Sequence, residues 1–309
     1  MFQFVNPSAT MITEADHFKR IEAAGRTCYK SEDRITDTSA RGFVRGLMNS
    51  RHTAMVEHAV FVFDVSHVSV DVLVSLNACP YINLTLNGEN GRALASGNLR
   101  AINEQAAHSL GAAMLLKALF NLDAGLVYEN ELMSDCNVDD VKIVDIDTIP
   151  NLSAHEIEQH KHLTFRLITD RGVTHELVRH RPPSYGMEST RYVNYLAGIS
   201  ICLPTGFYEK PEVVQEEYQL AFQDADNHYR RLIELGEKPQ QARAVLPTAL
   251  KTEIVVTTNI KEWNHIWNLR LFGTTGAPHP DIKALMEQVY AIAGTDQTVA
   301  KYLAMKEAA

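Results

Sequence analysis

The chain has 309 residues, of which 45% are hydrophobic and 22% are charged, and its formal net charge at pH 7 is -9. This composition is ordinary for a globular protein with a sizeable core, and the length fits one large domain or two smaller ones. The negative balance argues against non-specific binding of nucleic acid, which needs a broad positive surface. Small anionic ligands need only a local cationic pocket, so the net charge does not exclude them.

The cysteines and the apolar runs indicate the cellular compartment in which the protein is expected. The four cysteines lie far apart, with no Cys-x-x-Cys pair: Cys28, Cys79, Cys136 and Cys202. This spacing favours neither a zinc knuckle nor a disulfide framework and suits a reducing environment. No basic region followed by an apolar core opens the chain, and no apolar run approaches the length of a membrane span. We expect a soluble cytoplasmic protein without a membrane or nucleic-acid partner.

The first half of the chain alternates between helical and extended patterns. Residues 14–30 and about 38–49 carry apolar side chains at helical spacing. Residues 59–65 form a β-branched and aromatic run typical of a buried strand. Two further helices are predicted at about 97–109 and 111–121. A strand of limited burial is predicted at 141–149.

The second half contains a core strand and several helices. Residues 161–169 predict a second core strand, followed by a short helix over 172–181. The longest helix is predicted at about 211–236, because Pro211 lies at its start and Gly236 at its end. Shorter helices are predicted at 240–246 and 261–271, and two more complete the chain. Residues 252–259 are β-branched and fit either a strand or the core of a helix. Without a repeat or a linker, one α+β unit with an inserted segment is the simplest arrangement.

A cationic stretch at residues 179–192 stands out in this acidic chain. It reads Arg-His-Arg-Pro-Pro-Ser-Tyr-Gly-Met-Glu-Ser-Thr-Arg-Tyr. The prolines favour an extended path after the short helix, because proline restricts the residue before it. Donors that converge on one loop suit recognition of phosphate or carboxylate groups. A solvated arginine-rich loop is the alternative on local composition.

Other familiar motifs lack support. The histidines of the pairs 155/160 and 175/180 are five residues apart. On a helix this spacing turns the two side chains roughly 140° apart, whereas a zincin helix has its histidines four apart. We therefore expect no metal. The chain has no Gly-Lys-Ser/Thr phosphate loop, no Gly-x-Gly-x-x-Gly and no Gly-x-Ser-x-Gly, so Walker, Rossmann and hydrolase-elbow assignments are unsupported.

Two more arginines lie in apolar surroundings. Arg243 is flanked by alanines before Val245, and Arg270 ends a segment rich in tryptophan and leucine. A buried arginine is costly unless it is paired. Each therefore belongs either to a structural ion pair or to a site that faces an anionic ligand.

The cationic stretch resembles the signature of the flavin-dependent thymidylate synthases: Arg-His-Arg at 179–181, seven residues, Ser189, then Arg191-Tyr192. Further matches follow in the same order on both sides: His52, Glu57-His58, residues 174–178, Ala242-Arg243, Leu246-Pro247, Asn259 and residues 268–270. The resemblance covers roughly 15–65 and 160–290. Residues from about 65 to 160 look like the mostly helical insertion of longer members. The resemblance thus implies a single mixed α/β domain over 1–309.

The resemblance also implies a reaction and a set of ligands. The family transfers a methylene group from methylene-tetrahydrofolate to dUMP, with FAD as redox carrier and NADPH as reductant, and its members are expected to be homotetramers. It places the following residues at the flavin: Arg179, His180, Arg181, Met187, Asn259 and His265. It places the following at dUMP: Glu176, Arg179, Glu188, Ser189, Thr190, Arg191, Arg243 and Arg270.

Within this scheme Arg270 is the catalytic residue that polarises the uracil ring. A fixed cation beside the pyrimidine stabilises developing negative charge, so no protein nucleophile is required. Ser189 has no general base in its local sequence and is therefore interpreted as a ligand contact. Arg191 and Ser189 suit phosphate, because one offers a rigid fork and the other a hydroxyl.

Four residues depart from the usual family pattern. Gly186-Met187 stands where a polar pair is common, Ala54 replaces a hydroxyl residue, and His265 stands where some members have asparagine. The Gly186-Met187 pair motivates an alternative, a flavin-dependent pyrimidine-nucleotide hydroxymethylase on the same scaffold. A catalytically silent nucleotide-binding protein is the remaining alternative.

Overall fold

The computed structural model describes residues 2–128 and 131–308, in which two antiparallel sheets and a short parallel strand pair are covered by helices. The strands are β1 (Gln3–Val5), β2 (Ser8–Met11), β3 (Val60–Asp64), β4 (Ile82–Asn87), β5 (Arg92–Asn98), β6 (Lys142–Val144), β7 (His162–Asp170), β8 (Ser184–Met187), β9 (Ser200–Cys202) and β10 (Lys251–Asn259). The helices are α1 (His17–Tyr29), α2 (Ser39–Asn49), α3 (Val70–Asn77), α4 (Leu99–Gln105), α5 (Leu110–Leu122), α6 (Glu131–Ser134), α7 (Ala154–His160), α8 (Arg171–Leu177), α9 (Glu212–Glu234), α10 (Pro239–Ala242), α11 (Ile260–Arg270), α12 (Pro280–Ala293) and α13 (Gln297–Glu307).

The first sheet, in the order β2-β7-β10-β8, carries the predicted site residues at its ends. β10 is central, since it pairs with β7 over its whole length and with β8 over Ile254 to Thr257. All seven interior residues of β10 are buried. A β-branched run covered on both faces fits a pleated central strand. The open choice for residues 252–259 is therefore resolved as a strand.

The second sheet, in the order β4-β5-β3-β6, takes three of its strands from the predicted insertion. Helices predominate in that segment, as predicted. The helix predicted to begin at about residue 97 starts slightly later in the structure. Residues 92–98 are strand β5, which pairs with β3 and β4. α4 begins only at Leu99, where the side chain of Asn98 accepts a hydrogen bond from the Ala101 amide. Residues 129 and 130 of the insertion lie outside the described residues.

Two large apolar cores hold the sheets. One packs β3 and β5 against α2 and α5, and the other packs β7 and β10 against α11, α12 and α13. Val62 and Leu94 of the second sheet belong to the core beneath the first sheet. The two sheets therefore share buried surface.

α8 is shorter than predicted, since it ends at Leu177 rather than near residue 181. The Tyr185 hydroxyl lies 2.7 Å from the carbonyl oxygens of both Leu177 and His180. Terminal carbonyls of a helix need such donors, and the prolines at 182 and 183 turn the next residues into an extended path. The early end frees residues 178–183 to form the loop that carries the arginines.

The predicted helices of the carboxyl-terminal half are confirmed as α9, α11, α12 and α13. Pro211 lies one residue before the first residue of α9, and Gly236 follows its end with a φ of 97°. The helix predicted over 240–246 is α10 followed by a tighter turn at Arg243–Val245. In the described part of the chain, no helix has the length and apolarity that crossing a membrane requires.

Candidate active site

β8 separates two groups of predicted residues. The strand runs from Ser184 to Met187 along the edge of the first sheet, a distance of about 10 Å. Arg181 lies before its first residue, and Glu188 follows its last. The cationic stretch therefore has two ends with different surroundings.

Arg270, at the end of α11, is held by residues from α8 and the loop behind it. Its Nη1 donates to Oε2 of Glu176 at 2.8 Å, and its Nε lies 3.4 Å from Nε2 of His180. The Arg270 side chain is 25% exposed and that of Glu176 is 31% exposed. The structure thus brings three of the predicted residues together and leaves part of the guanidinium accessible.

Glu262 and His265 extend this group, and both lie earlier in α11 than Arg270. Oε1 of Glu262 lies 3.5 Å from Nδ1 of His180, and the rings of His180 and His265 meet edge to face at 5.4 Å. One ligand-type atom from each of these three residues lies within 4.8 Å of the others. The guanidinium of Arg270 touches the same histidine, so a bound metal cation would face a fixed positive charge.

Among the predicted site residues, Arg179 and Arg181 have side chains without a partner in the described part of the chain. Both are exposed, and within residues 2–128 and 131–308 neither side chain makes a hydrogen bond, an ion pair or a ring contact. Arg181 lines a cavity of about 320 Å³ between the two sheets, together with Ser184 and Asn259. Unpaired guanidinium groups at the mouth of a cavity suit an anionic ligand.

Asn259 has a local structural task. Its Oδ1 accepts a hydrogen bond from the Glu262 amide at the start of α11, and its Nδ2 donates to the Gln159 carbonyl at 3.3 Å. It therefore caps the helix that carries Glu262, His265 and Arg270. The amide still lines the cavity beside Arg181.

Glu188 lies in a buried network of charges at the other end of β8. It accepts hydrogen bonds from Lys251 at 3.1 Å and from the Tyr195 hydroxyl at 2.8 Å. Lys251 also pairs with Glu253, which Lys30 and Arg166 contact as well. Burial alone would raise the pKa of Glu253, but the hydrogen bonds from these cations lower it to about 2. Glu188 is thus held by its neighbours, and Glu253 stays charged.

The residues after Glu188 form a polar rim. Nη1 of Arg243 donates to the buried Thr190 hydroxyl at 3.0 Å, while Arg191 is exposed and lies over the Tyr192 ring. The amide of Ser189 donates to the Cys28 carbonyl at 2.9 Å. In the described ranges, no histidine or carboxylate contacts the Ser189 hydroxyl. The rim can therefore offer donors, and it supplies no base for a serine nucleophile.

The Gly186-Met187 departure has a packing explanation. A Cβ placed on Gly186 would lie 3.2 Å from Nε2 of the fully buried His58 and 3.3 Å from Sδ of Met55. Met187 packs against the apolar core of the first sheet. Burial lowers the pKa of His58 to about 3, so this histidine is neutral. Glycine at 186 lets the strand approach that imidazole.

Two residues of the site were missed by the sequence analysis. Glu262 is recognisable only by its three-residue spacing from His265 on one helix face. Lys251 meets Glu188 only because β8 and β10 pair in register. The histidines of the two patterns lie in different surroundings: both ring nitrogens of the buried His160 lie 2.8 Å from the hydroxyls of Thr85 and Ser96, and His175 is exposed.

Comparison with known proteins identifies the family. The model described as "Thymidylate synthase complementing protein" matches residues 10–78 and 129–295. Proteins named "Flavin-dependent thymidylate synthase" from Geobacter sulfurreducens and Pyrococcus abyssi are 34% and 30% identical over 143 and 148 residues. Those alignments take in 46% and 47% of this chain and 61% and 60% of the relatives, so the chain spans about three fifths of their length.

Among solved structures, the UMP/dUMP methylase PolB from Streptomyces cacaoi bound with 5-Br dUMP aligns over 98% of this chain and 97% of its own. The sequence identity is 17% and the TM-score is 0.44. The family assignment depends on the sequence match alone, which covers most of the chain, including the cationic stretch, Arg243 and Arg270. The chain belongs to the thymidylate synthase complementing protein family.

Proposed function

We propose that the chain is an FAD-dependent thymidylate synthase. It would transfer the methylene group of methylene-tetrahydrofolate to dUMP, with FAD as redox carrier and NADPH as reductant, to form dTMP. The observation that carries this proposal is the partly exposed Arg270 guanidinium, oriented by Glu176 and His180. Family membership adds support, since its named relatives are flavin-dependent thymidylate synthases.

The chain offers a fitting place for the flavin. Arg179 and Arg181 are unpaired cations, and Arg181 and Asn259 line one cavity. These residues, with His180, Met187 and His265, would hold the cofactor. When bound, the flavin supplies the electron transfer that reduces the transferred carbon to the methyl level. The two arginines would bind its phosphates.

Arg270 would act on the uracil. The guanidinium of Arg270 donates one hydrogen bond to the Glu176 carboxylate. The N–H groups of this guanidinium that have no partner are available to a pyrimidine carbonyl. Carbon five of the pyrimidine can attack the methylene carbon when the ring carries enolate-like negative charge on a carbonyl oxygen, and forming the new C–C bond consumes that charge. A cation already fixed in place stabilises that charge without reorganisation. No protein nucleophile enters this scheme.

The rim at the far end of β8 would receive the dUMP phosphate. Arg191 and Arg243 are exposed and supply guanidinium donors, and Ser189 and Thr190 supply hydroxyls. Glu188, held by Lys251 and Tyr195, fixes the turn that presents these groups. Anions are bound tightly by such converging donors.

The assembly is proposed to be a cytoplasmic homotetramer of single-domain chains. Buried surface common to the two sheets supports one domain over 1–309, with the inserted segment at about 65–160. α9 supports association: among its residues only Phe222, Asp226 and Tyr229 are buried, while Val213 and Leu220 are 69% and 62% exposed. Cys28, Cys79 and Cys202 are free thiols, which suits a reducing compartment. Mass measurement under native conditions tests the tetramer.

The visible spectrum of the purified protein is the first experiment. A flavin spectrum, present on purification or after addition of FAD, supports the proposal, and failure to bind FAD contradicts it. Product masses from dUMP and dCMP then separate methylation from hydroxymethylation. Stoichiometric dUMP binding without NADPH oxidation would instead favour a silent nucleotide-binding protein.

A further inference from the structure

Tyr81 is an exposed aromatic residue in a strained backbone position. Its φ is +64°, and its side chain is 73% exposed. The Ile82 amide donates to the Cys79 carbonyl at 3.4 Å, so Tyr81 is the third residue of a four-residue turn. Turns with a positive φ at this position normally place glycine or asparagine there, because a bulky residue is strained.

In residues 2–128 and 131–308, no contact of the Tyr81 side chain compensates for this strain. The ring gains no burial, and in the described part of the chain its hydroxyl has no hydrogen-bond partner. The backbone beneath it is fixed: a Cβ on Gly97 would lie 3.2 Å from Cγ1 of Ile82 and 3.4 Å from the Tyr81 carbonyl oxygen. Strained residues that persist in this way are concentrated at ligand sites.

The position of Tyr81 indicates what it faces. It lines both the cavity of about 320 Å³ and a neighbouring one of about 250 Å³, and Arg181 lines the same two cavities. The two carboxylates of the smaller cavity, Glu57 and Glu104, are both paired with Arg100, at 2.8 and 2.7 Å. Arg181 makes no ion pair with either of them. A free aromatic ring and a free guanidinium thus border one space.

Tyr81 and Arg100 come from outside the matched family segments. They lie between residues 78 and 129, which the family match does not cover. The opposite wall, with Arg181 and Asn259, belongs to the matched part. The inserted segment therefore contributes one side of the cavity that the cationic stretch borders on the other.

We propose that Tyr81 is a binding residue of the inserted segment, which stacks on a planar heteroaromatic ring of a nucleotide whose phosphate pairs with Arg181. This inference deepens the proposed function, on which it depends for naming the nucleotide as FAD. The ring is either isoalloxazine or adenine, since both present a flat face to a tyrosine. Stacking of a base on an aromatic side chain contributes about 1–3 kcal/mol, which corresponds to a roughly tenfold to hundredfold change in affinity.

The test compares wild type with Tyr81→Gly and Tyr81→Phe in binding to FAD, FMN and ADP. Tyr81→Gly removes the ring and relieves the positive φ, so it does not threaten folding. Tyr81→Phe keeps the stacking face. Tyr208→Ala is the matched control, because Tyr208 is also 73% exposed but lines neither cavity.

We expect Tyr81→Gly to weaken FAD binding at least about tenfold, with Tyr81→Phe and Tyr208→Ala near wild type. A parallel loss with FMN identifies isoalloxazine as the stacked ring, and a parallel loss with ADP identifies adenine. Equal FAD affinity of Tyr81→Gly and wild type overturns the inference and leaves the proposed function standing. Tyr81-dependent binding of ADP by a protein that binds no flavin supports the ring site and contradicts the FAD assignment. Wild type that binds none of the three overturns both.

Discussion

The Glu176 carboxylate and the Arg270 guanidinium form an ion pair of 2.8 Å that joins the last turn of α8 to the end of α11. Because β7 and β10 are antiparallel, α8 and α11 begin at opposite ends of this strand pair, and their carboxyl-terminal ends meet at the ion pair. The pair orients one edge of the guanidinium, and its partial exposure leaves the rest available to a ligand. Arg270 is accordingly the residue whose replacement is most informative.

Arg270→Lys should retain FAD but lose most turnover. A lysine keeps the charge, but a point charge cannot hold Glu176 and a pyrimidine carbonyl in one plane. We expect kcat to fall by about two orders of magnitude, as for loss of one preorganised donor. Tritium release from labelled dUMP measures it. Arg231→Lys, on the exposed surface of α9, is the control, and near-normal kcat for Arg270→Lys would show that the arginine is structural.

Ser189→Ala should raise KM for dUMP more than it lowers kcat. The hydroxyl has no base beside it, so we expect the loss of a phosphate contact, worth about 1–2 kcal/mol or roughly tenfold in KM. Steady-state kinetics at saturating FAD measure both constants. A kcat reduced to background with unchanged dUMP binding would instead identify Ser189 as a nucleophile.

Glu253→Gln should destabilise the fold by about 3 kcal/mol, because it removes the charge of a buried carboxylate that three partly exposed cations share. Lys30, Lys251 and Arg166 all contact Glu253, whose side chain is 5% exposed. The free energy of unfolding from urea titration measures the effect. Glu234→Gln is the control, since Glu234 pairs with Arg231 on the exposed surface, and we expect no measurable change there.

The same carboxylate predicts an acid limb of stability. The pKa of Glu253 is about 2 in the folded chain against an ordinary 4.5. Its contribution is therefore fully present above pH 4.5 and is lost as the pH falls towards 2. Unfolding free energies of wild type should fall more steeply across this window than those of Glu253→Gln. Parallel pH profiles would contradict the assignment.

His58 predicts a loss of stability at milder acidity. Burial lowers its pKa from 6.5 to about 3. Between these values the unfolded chain binds a proton that the folded chain rejects. Stability should decline as the pH falls from 6.5 towards 3, by up to about 1.4 kcal/mol per unit for this group. His58→Gln keeps a polar group near Thr257 and should flatten that part of the profile, and an unchanged slope would contradict this account.

Local sequence patterns predicted most helices, but they could not predict the contacts between strands that are distant in the sequence. β5 was missed because five consecutive residues from Ala93 to Gly97 are buried, so the strand shows no alternation. The ion pair between Glu188 and Lys251 depends on the register of β8 against β10, which short-range spacing does not encode. The arginines at 179 and 181 were predicted from their motif, whereas their lack of partners became visible only in the folded chain.

The most direct test of the proposed function is the mass of the product formed from dUMP. The purified protein would be supplied with FAD, NADPH and methylene-tetrahydrofolate, with Arg270→Lys in parallel. We predict conversion of dUMP to dTMP by the wild-type protein, dependent on both FAD and the folate, and little conversion by the variant. Unchanged dUMP in the presence of bound FAD, or a hydroxymethylated product, would contradict the proposed function.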